Sequence, residues 1–243
     1  MALYRATGVV LRTYKLAEAD RIIILYTRGH GKVRAVAKGV RRTKSKFGSR
    51  LEPGCVASLQ LYEGRNLDVI TQVETEQLHP NLRTDIDRFG RATVLLEIVD
   101  QVGQEGESNP ALYKLLAGAL AELDRGGNPL VVPAFAAKVL ALEGVAPMLD
   151  ACVSCGATER LVAIEIHEGG VLCHNCRRGE PISEAARQTL IMVFAGHVRH
   201  VLDTTPPAVS DELEHLASRM LEQHLERRLR TSTLLYQQVH PAS

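Results

Sequence analysis

The stretch RIIILYTRGHGKVRAVA, residues 21–37, decides the fold of the N-terminal part of the chain. Two runs rich in Val, Ile, Leu and Tyr, Arg21–Thr27 and Gly31–Ala37, flank the sequence RGHG, which is typical of a hairpin turn. Basic and apolar residues alternate in the second run, so Lys32 and Arg34 are predicted to share one face of a strand. These residues therefore predict a β-hairpin.

Three more short runs extend this pattern through the first 80 residues. Residues 4–12, Val56–Tyr62 and 67–73 are rich in the same residue types, and EGRN at 63–66 is typical of a turn. Five short strands in about 75 residues suit a small closed or partly open barrel, because closure removes unpaired strand edges. A two-sheet sandwich normally needs about seven strands. We therefore predict a five-stranded β-barrel.

Beyond Pro80 the apolar residues follow a helical period instead. Over residues 82–102, the apolar residues spaced for one helical face are Ile86, Phe89, Val94, Leu95, Ile98 and Val99. Further helices are predicted over 110–123 and 129–142, after Ser183 as an N-cap, and from Ser210 onward. A chain of 243 residues is long for one domain. We therefore expect an α+β protein with a barrel domain over 1–80 and a helical domain over 81–243.

The formal net charge of +1 conceals two opposed regions. Residues 1–50 contain 13 basic and 2 acidic side chains, whereas residues 51–243 contain 16 basic and 26 acidic ones. A charge distribution of this kind suggests a polyanionic partner for the N-terminal part of the chain.

The composition excludes several classes of protein. Hydrophobic residues make up 45% of the chain, which is enough for a core and argues against wholesale disorder. No run approaches the roughly 18 uninterrupted apolar residues of a membrane span, and the start MALYRATGVV lacks the features of a signal peptide. We therefore expect a soluble intracellular protein.

The basic residues are densest between Arg28 and Arg50, where nine occur and no acidic residue interrupts them. Because like charges repel, such a stretch is either a solubilising loop or a contact for a polyanion, and we favour nucleic acid. No helix-turn-helix, homeodomain or basic-zipper signature accompanies it, so contact with the backbone is expected rather than sequence readout. One or two nearby aromatic residues at most are expected to stack on bases. The candidates are Tyr4, Tyr14, Tyr26, Phe47 and Tyr62.

Four of the five cysteines form two close pairs, Cys152 with Cys155 and Cys173 with Cys176. Two C-x2-C turns separated by 17 residues match a zinc site, because each turn directs two thiolates at one ion. The residues between the pairs predict a β-hairpin, and a zinc ribbon is therefore expected at about 150–180.

Four thiolates leave no coordination position for a substrate, so we interpret the predicted zinc as structural. A redox-active pair, a displaced ligand with His167 or His174 as substitute, and loss of the metal stay open as alternatives. Cys55 stands alone and is predicted to be a small buried residue of the barrel rather than a nucleophile.

These residues resemble the RecO family of bacterial DNA repair proteins. The most specific part is GVVLRTYKLAEADRIIILYTRGHGKVRAVAKGVRRTKSKFGSRLEPG, residues 8–54, with Glu18 and Asp20 before the second strand. The two cysteine pairs and SRMLEQHLERRLRTSTLL, residues 218–235, extend the resemblance over nearly the whole chain.

The resemblance implies an N-terminal OB-fold, a helical domain with an inserted zinc ribbon, and a cytoplasmic, nucleoid-associated protein without catalytic residues. It implies a mediator of recombinational repair that binds single- and double-stranded DNA, anneals complementary strands, and works with RecR and the single-stranded DNA-binding protein. By matching position, DNA contact falls on Lys32, Arg34, Lys38, Arg41, Arg42, Lys44, Lys46 and Arg50. One structural Zn²⁺ falls on Cys152, Cys155, Cys173 and Cys176.

Two other functions stay open from the residues alone, a zinc-ribbon enzyme and a sequence-specific regulator that acts on nucleic acid. The enzyme has little support, because the sequence contains no P-loop, zinc-protease, serine-hydrolase or dinucleotide-binding motif. The C-terminal arginines either extend the DNA contact or complement the dipole of the last helix, and we favour the second interpretation. They are Arg219, Arg227, Arg228 and Arg230.

Overall fold

The structure is a computed structural model, and it describes residues 2–42, 45, 47–206 and 208–231. The chain forms two compact units, Met1–Gly127 and Asn128–Ser243. None of the helices in these described ranges is long and apolar enough to cross a membrane.

A closed five-stranded barrel forms the first part of the N-terminal unit. Its strands are β1 (Leu3–Lys15), β2 (Arg21–Thr27), β3 (Gly31–Ala37), β4 (Val56–Tyr62) and β5 (Asp68–Gln77). They follow each other around the barrel in the order β1-β2-β3-β5-β4, and antiparallel pairing of β1 with β4 closes it. The β3–β5 pair is parallel, and the other pairs are antiparallel. This arrangement is the predicted OB-fold.

The interior of the barrel is filled by aliphatic side chains from all five strands, among them Val10, Ile23, Leu25, Leu59 and Ile70. Three residues of the β3–β4 connection, Phe47, Leu51 and Cys55, join the same core, and Gly48–Leu51 forms a 3-10 turn there. Burying these side chains removes apolar surface from water, which is the main free-energy gain of a small barrel. The prediction that Cys55 is a buried residue of the barrel is confirmed, since the residue is 1% exposed.

Three helices complete the N-terminal unit: α1 (Asn81–Thr84), α2 (Ile86–Val102) and α3 (Pro110–Gly126). The side chain of Asp85 caps α2 by accepting hydrogen bonds from the backbone N–H groups of Asp87 and Arg88. Ile86 and Phe89 have the helical spacing predicted for one face, but they are 73% and 54% exposed. The buried residues of α2 lie between Ala92 and Asp100, so its later turns supply the packed surface.

In the part of the C-terminal unit that the structure describes, there are four helices and a small three-stranded sheet. The helices are α4 (Val131–Leu142), α5 (Glu184–Phe194), α6 (Val198–Thr204) and α7 (Ala208–Leu225), and the strands are β6 (Leu161–Glu165), β7 (Gly170–Cys173) and β8 (Glu180–Pro181). Helix α4 is buried on nearly all sides and packs against α5 and α7. The prediction of Ser183 as an N-cap is confirmed, since its side chain accepts from the backbone N–H of Ala186 at 3.1 Å.

Candidate nucleic-acid interface and metal centre

The basic stretch of the sequence runs along β3 and into the β3–β4 connection. Lys32 and Arg34 lie on β3, and the chain then presents Lys38, Arg41 and Arg42 in succession. Arg50 follows in the 3-10 turn that closes one end of the barrel. The predicted DNA contacts Lys44 and Lys46 lie outside the described residues.

The two basic residues of β3 are already engaged with acidic groups. The ammonium of Lys32 donates to the backbone carbonyl of Asp100 at 2.7 Å and lies 3.7 Å from its carboxylate. Arg34 lies farther out, with its Nε 3.9 Å from the carboxylate of Glu105, and both side chains are about half exposed. An exposed ion pair of this length is weak, so Arg34 keeps its charge available to a polyanion, whereas Lys32 binds within the fold.

The start of the β3–β4 connection is fastened to the β1–β2 loop. The Arg41 guanidinium donates to the carbonyl of Glu18 at 2.8 Å, and its backbone N–H donates to the carbonyl of Ala19 at 3.0 Å. The carboxylate of Asp20 accepts from the backbone N–H of Gly39 at 2.8 Å. Gly39 has a φ of 68°, a left-handed conformation that favours glycine. The two acidic positions of the β1–β2 loop therefore order the basic connection.

Lys38 and Arg42 differ from Lys32, Arg34 and Arg41, whose side chains contact carboxylates or backbone carbonyls. Both are exposed, and within the described ranges neither side chain forms an ion pair with a carboxylate. The charges of Lys38 and Arg42 are therefore exposed to solvent, and the two residues lie before and after Arg41 in the sequence. Lys38 and Arg42 are the best placed of the predicted contacts to neutralise phosphate groups.

The five aromatic candidates fall into two groups. Tyr26 and Phe47 are buried, and Tyr4 packs against His30 while its hydroxyl donates to the carboxylate of Asp68. Tyr14 and Tyr62 are the exposed ones. Arg12 was not among the predicted site residues, but its guanidinium lies 5.1 Å from the centroid of the Tyr14 ring. The face on which Arg12 lies does not follow from simple alternation along β1, because an irregularity between Val10 and Arg12 shifts the alternation of the strand.

The four paired cysteines meet at one point of the C-terminal unit. Their sulfur atoms all lie within 4.8 Å of one another, and the Sγ atoms of Cys155 and Cys173 are 3.7 Å apart. Four thiolates at about 2.3 Å around one tetrahedral ion would lie about 3.8 Å apart. The donor set and its spacing therefore fit a metal ion bound by sulfur. Neither His167 nor His174 belongs to this cluster within the described residues.

Backbone groups around the cluster favour deprotonated sulfur. Backbone hydrogen bonds from Cys173, Cys155 and Ser154 lower the pKa of the Cys152 thiol to about 6. Those from Cys176 and Asn175 lower the pKa of the Cys173 thiol. A backbone hydrogen bond from Ala157 lowers the pKa of Cys155, but the three neighbouring sulfurs together raise it to about 12. Such crowding is relieved when a cation binds all four sulfurs.

The predicted hairpin between the cysteine pairs is confirmed by β6 and β7, which pair antiparallel and are joined on the β6 side by β8. Cys173 is the last residue of β7, and the second pair closes beyond it with the backbone N–H of Cys176 donating to the carbonyl of Cys173 at 3.1 Å. In the first pair the backbone N–H of Gly156, at a φ of 77°, donates to the carbonyl of Cys152 at 2.8 Å. Each cysteine pair is thus held in a tight turn next to a short sheet.

The C-terminal arginines lie beside acidic side chains. The Nε of Arg219 is 3.6 Å from the carboxylate of Glu180, and Arg227 and Arg228 line a cleft of about 370 Å³ together with Glu222 and Glu226. Helix α7 ends at Leu225, so two of these arginines follow its carboxyl end directly, where positive charge is favourable. Arg230 lies two residues further on and takes part in interactions within the chain.

The structure thus combines a five-stranded OB-fold barrel that has a basic connection with a helical unit whose ribbon brings together four cysteines that could hold a metal ion. Two family models match the chain: Recombination protein O N terminal covers residues 1–79, and Recombination protein O C terminal covers residues 83–233. The chain therefore belongs to the RecO family, and its role is in recombinational DNA repair.

The boundary between the two family models differs from the boundary between the two compact units. The family models meet between residues 79 and 83, close to the predicted boundary at residue 80. The compact units divide at Gly127, because α1, α2 and α3 pack within the same unit as the barrel. The division into an OB-fold domain over 1–80 and a helical domain over 81–243 stays a prediction.

Proposed function

We propose that this protein binds single- and double-stranded DNA without sequence specificity and anneals complementary strands, and that it performs no bond chemistry. With RecR, it helps to load recombinase on DNA coated by the single-stranded DNA-binding protein. The observation that carries the proposal is the pair of exposed cationic side chains, Lys38 and Arg42, on the ordered start of the β3–β4 connection of an OB-fold.

Annealing needs charge neutralisation rather than catalysis. Two DNA strands repel each other through their phosphates, and base pairing supplies the free energy once the strands are held together. Arg34, Lys38 and Arg42 offer cationic groups that bind phosphate independently of base identity. Arg50, Lys44 and Lys46 remain predicted contributors to the same surface.

The metal of the C-terminal unit is proposed to be one structural Zn²⁺. Four cysteine sulfurs fill a tetrahedral shell, and zinc is the ion most often found in such a shell. Cys152, Cys155, Cys173 and Cys176 would hold it and thereby fix the two cysteine turns beside the sheet of β6, β7 and β8. This role requires no open coordination position.

The proposed function is tested by a fluorescence annealing assay with complementary oligonucleotides at two salt concentrations. The variant Lys38→Ala/Arg42→Ala is expected to slow annealing, and the defect should be larger at low salt, where phosphate contacts contribute most. The matched control is Lys114→Ala/Arg199→Ala, which also removes two exposed positive charges. Equal annealing rates for the two variants would refute the assignment of the basic connection.

Participation in recombinase loading has its own test. Filament formation on a strand coated with the single-stranded DNA-binding protein is expected to require both this protein and RecR. Loading that proceeds equally well when either protein is omitted would contradict that part of the proposal, while leaving annealing intact.

A further inference from the structure

Tyr14 lies on the outer surface of the barrel near the end of β1. In the register of the sheet, Thr13 is opposite Ile23, which points into the barrel core, and Tyr14 is opposite Ile22. Successive side chains of a strand point to opposite faces, so Tyr14 and Ile22 face outward. The Tyr14 residue is 44% exposed.

An anchored guanidinium supports this exposed ring. The guanidinium of Arg12 lies 5.1 Å from the ring centroid, a cation–π arrangement, and it is also anchored by Asp100 at 2.9 Å. An exposed aromatic ring that is held by an anchored guanidinium is suited to stacking against a nucleobase.

The other described aromatic side chains of the barrel lack this combination. Tyr26 and Phe47 are buried, and Tyr4 is engaged by Asp68 and His30. Tyr62 is 41% exposed, but within the described residues no guanidinium or ammonium lies over its ring. Tyr62 is therefore a tyrosine of matching exposure without a supporting cation.

Tyr14 also lies at the same end of the barrel as the basic connection. The register places Tyr14 opposite Ile22, and Ile22 opposite Val36, so the three residues form one row across β1, β2 and β3. With strands about 4.8 Å apart, the Cα atoms of Tyr14 and Val36 are roughly 10 Å apart. Lys38 follows Val36 by two residues, so a strand of DNA can reach the ring and the cationic connection together.

We propose that Tyr14, supported by Arg12, is a base-stacking platform that makes the site prefer unpaired nucleobases. This inference rests on the proposed DNA-binding function, and it specifies that Tyr14 binds single-stranded DNA. In a duplex each base is stacked between its neighbours, so the ring adds binding energy only where a base is free of the stack. The basic connection holds either form, and Tyr14 distinguishes single strands and strand ends from duplex.

The experiment compares binding to oligo(dT) and to a duplex of equal length across a salt series. Tyr14→Ala is expected to weaken oligo(dT) binding by about 5- to 150-fold, the usual range for removing one stacking side chain. Duplex affinity and the salt dependence of both should stay unchanged, because no positive charge is lost. Tyr14→Phe keeps the ring and should retain oligo(dT) binding, whereas the matched control Tyr62→Ala should leave both affinities unchanged.

A spectroscopic reading accompanies these affinities. The chain contains no tryptophan, so Tyr14→Trp introduces a single reporter, whose fluorescence should be quenched by oligo(dT) and much less by duplex. Equal losses of oligo(dT) and duplex binding in Tyr14→Ala, or no loss at all, would overturn the inference. If Lys38→Ala/Arg42→Ala also left DNA binding unchanged, the proposed function itself would fail. If Lys38→Ala/Arg42→Ala weakened DNA binding but Tyr14→Ala did not, only the stacking role of Tyr14 would be refuted.

Discussion

The ammonium of Lys32 on β3 and the main chain of Asp100 on α2 are joined by a hydrogen bond of 2.7 Å. The carboxylate of Asp100 is 5% exposed and also forms an ion pair of 2.9 Å with Arg12. Its Oδ1 is 3.7 Å from the Lys32 ammonium, which is an ion pair but too long for a hydrogen bond. One buried carboxylate thus neutralises two cations of the barrel surface and ties α2 to β1 and β3.

Removing this carboxylate is expected to destabilise the N-terminal unit. Asp100→Asn should lower the free energy of unfolding by about 2 kcal/mol, because a charged partner of two cations is lost from a nearly buried position. Urea unfolding measures the change. The matched control on the same helix is the exposed Asp87→Asn, which is expected to cost no more than about 0.5 kcal/mol. Equal effects of the two substitutions would contradict the role of Asp100.

The basic residues are expected to fall into two groups: those that contact DNA phosphates and those that contact groups of the protein itself. Lys38→Ala/Arg42→Ala should reduce the slope of log K against log salt by about 1.8 for duplex DNA if each side chain neutralises one phosphate. Lys32→Ala, a charge removed from the same stretch, should leave the slope nearly unchanged and lower thermal stability instead, because its ammonium is engaged with Asp100. Equal slopes for the double variant and the unaltered protein would refute phosphate contact at Lys38 and Arg42.

The cysteine cluster is expected to bind one zinc ion per chain and to depend on it for stability. Cys152→Ser should reduce the zinc content measured by elemental mass spectrometry to near zero and lower the thermal midpoint. A chelator should reproduce that midpoint in the unaltered protein. Cys55→Ala is the control. Because Cys55 lies in the barrel core, this substitution should leave the zinc content at one ion per chain. Zinc retained at full occupancy in Cys152→Ser would show that the metal binds elsewhere.

His79 is expected to make the N-terminal unit less stable in mild acid. Burial lowers the pKa of His79 below 6.5, although Asp124 partly opposes the change. The unfolded chain therefore takes up a proton as the pH falls through about 6.5, while the folded chain does so only at lower pH. The stability contribution of neutral His79 is present above pH 6.5 and is lost as the pH falls below it.

Urea unfolding at pH 7.5, 6.5 and 5.5 tests this expectation. His79→Leu should remove part of the loss of stability between pH 7.5 and 5.5, whereas the exposed His167→Gln should leave the loss as it is. A pH dependence that is identical in His79→Leu and the unaltered protein would show that other groups account for it.

Local features of the sequence predicted much of the fold. The bounds of β2, β3 and β4 follow from β-branched and aromatic runs between turn residues, and these runs need no tertiary information. Two C-x2-C turns at ribbon spacing predicted that their sulfurs meet, because the turn geometry directs both thiolates to one side. Strand β1 runs further than predicted, to Lys15, since an irregularity after Val10 lets pairing with β2 continue.

The packing of the helices depended on partners that periodicity does not identify. Ile86 and Phe89 have helical spacing relative to Val94 and Leu95, yet they are exposed, because the earliest turns of α2 are not its packed part. Likewise, the alternation of β3 predicted that Lys32 and Arg34 share a face, but not that Asp100, 68 residues beyond Lys32, holds only the first of them closely.

The sequence by itself determined the number of strands in the barrel, the pairing of the four clustered cysteines and the position of the basic stretch, because each depends on residues close together in the chain. Only the tertiary structure decided which of those basic side chains stay free of carboxylates within the described residues, and which exposed tyrosine has a guanidinium over its ring. Both are settled by long-range contacts: Asp100 reaches Lys32 and Arg12 from a helix, and strand register places Tyr14 and the start of the basic connection at one end of the barrel. Such contacts depend on the closed barrel, and no local pattern of residues specifies them.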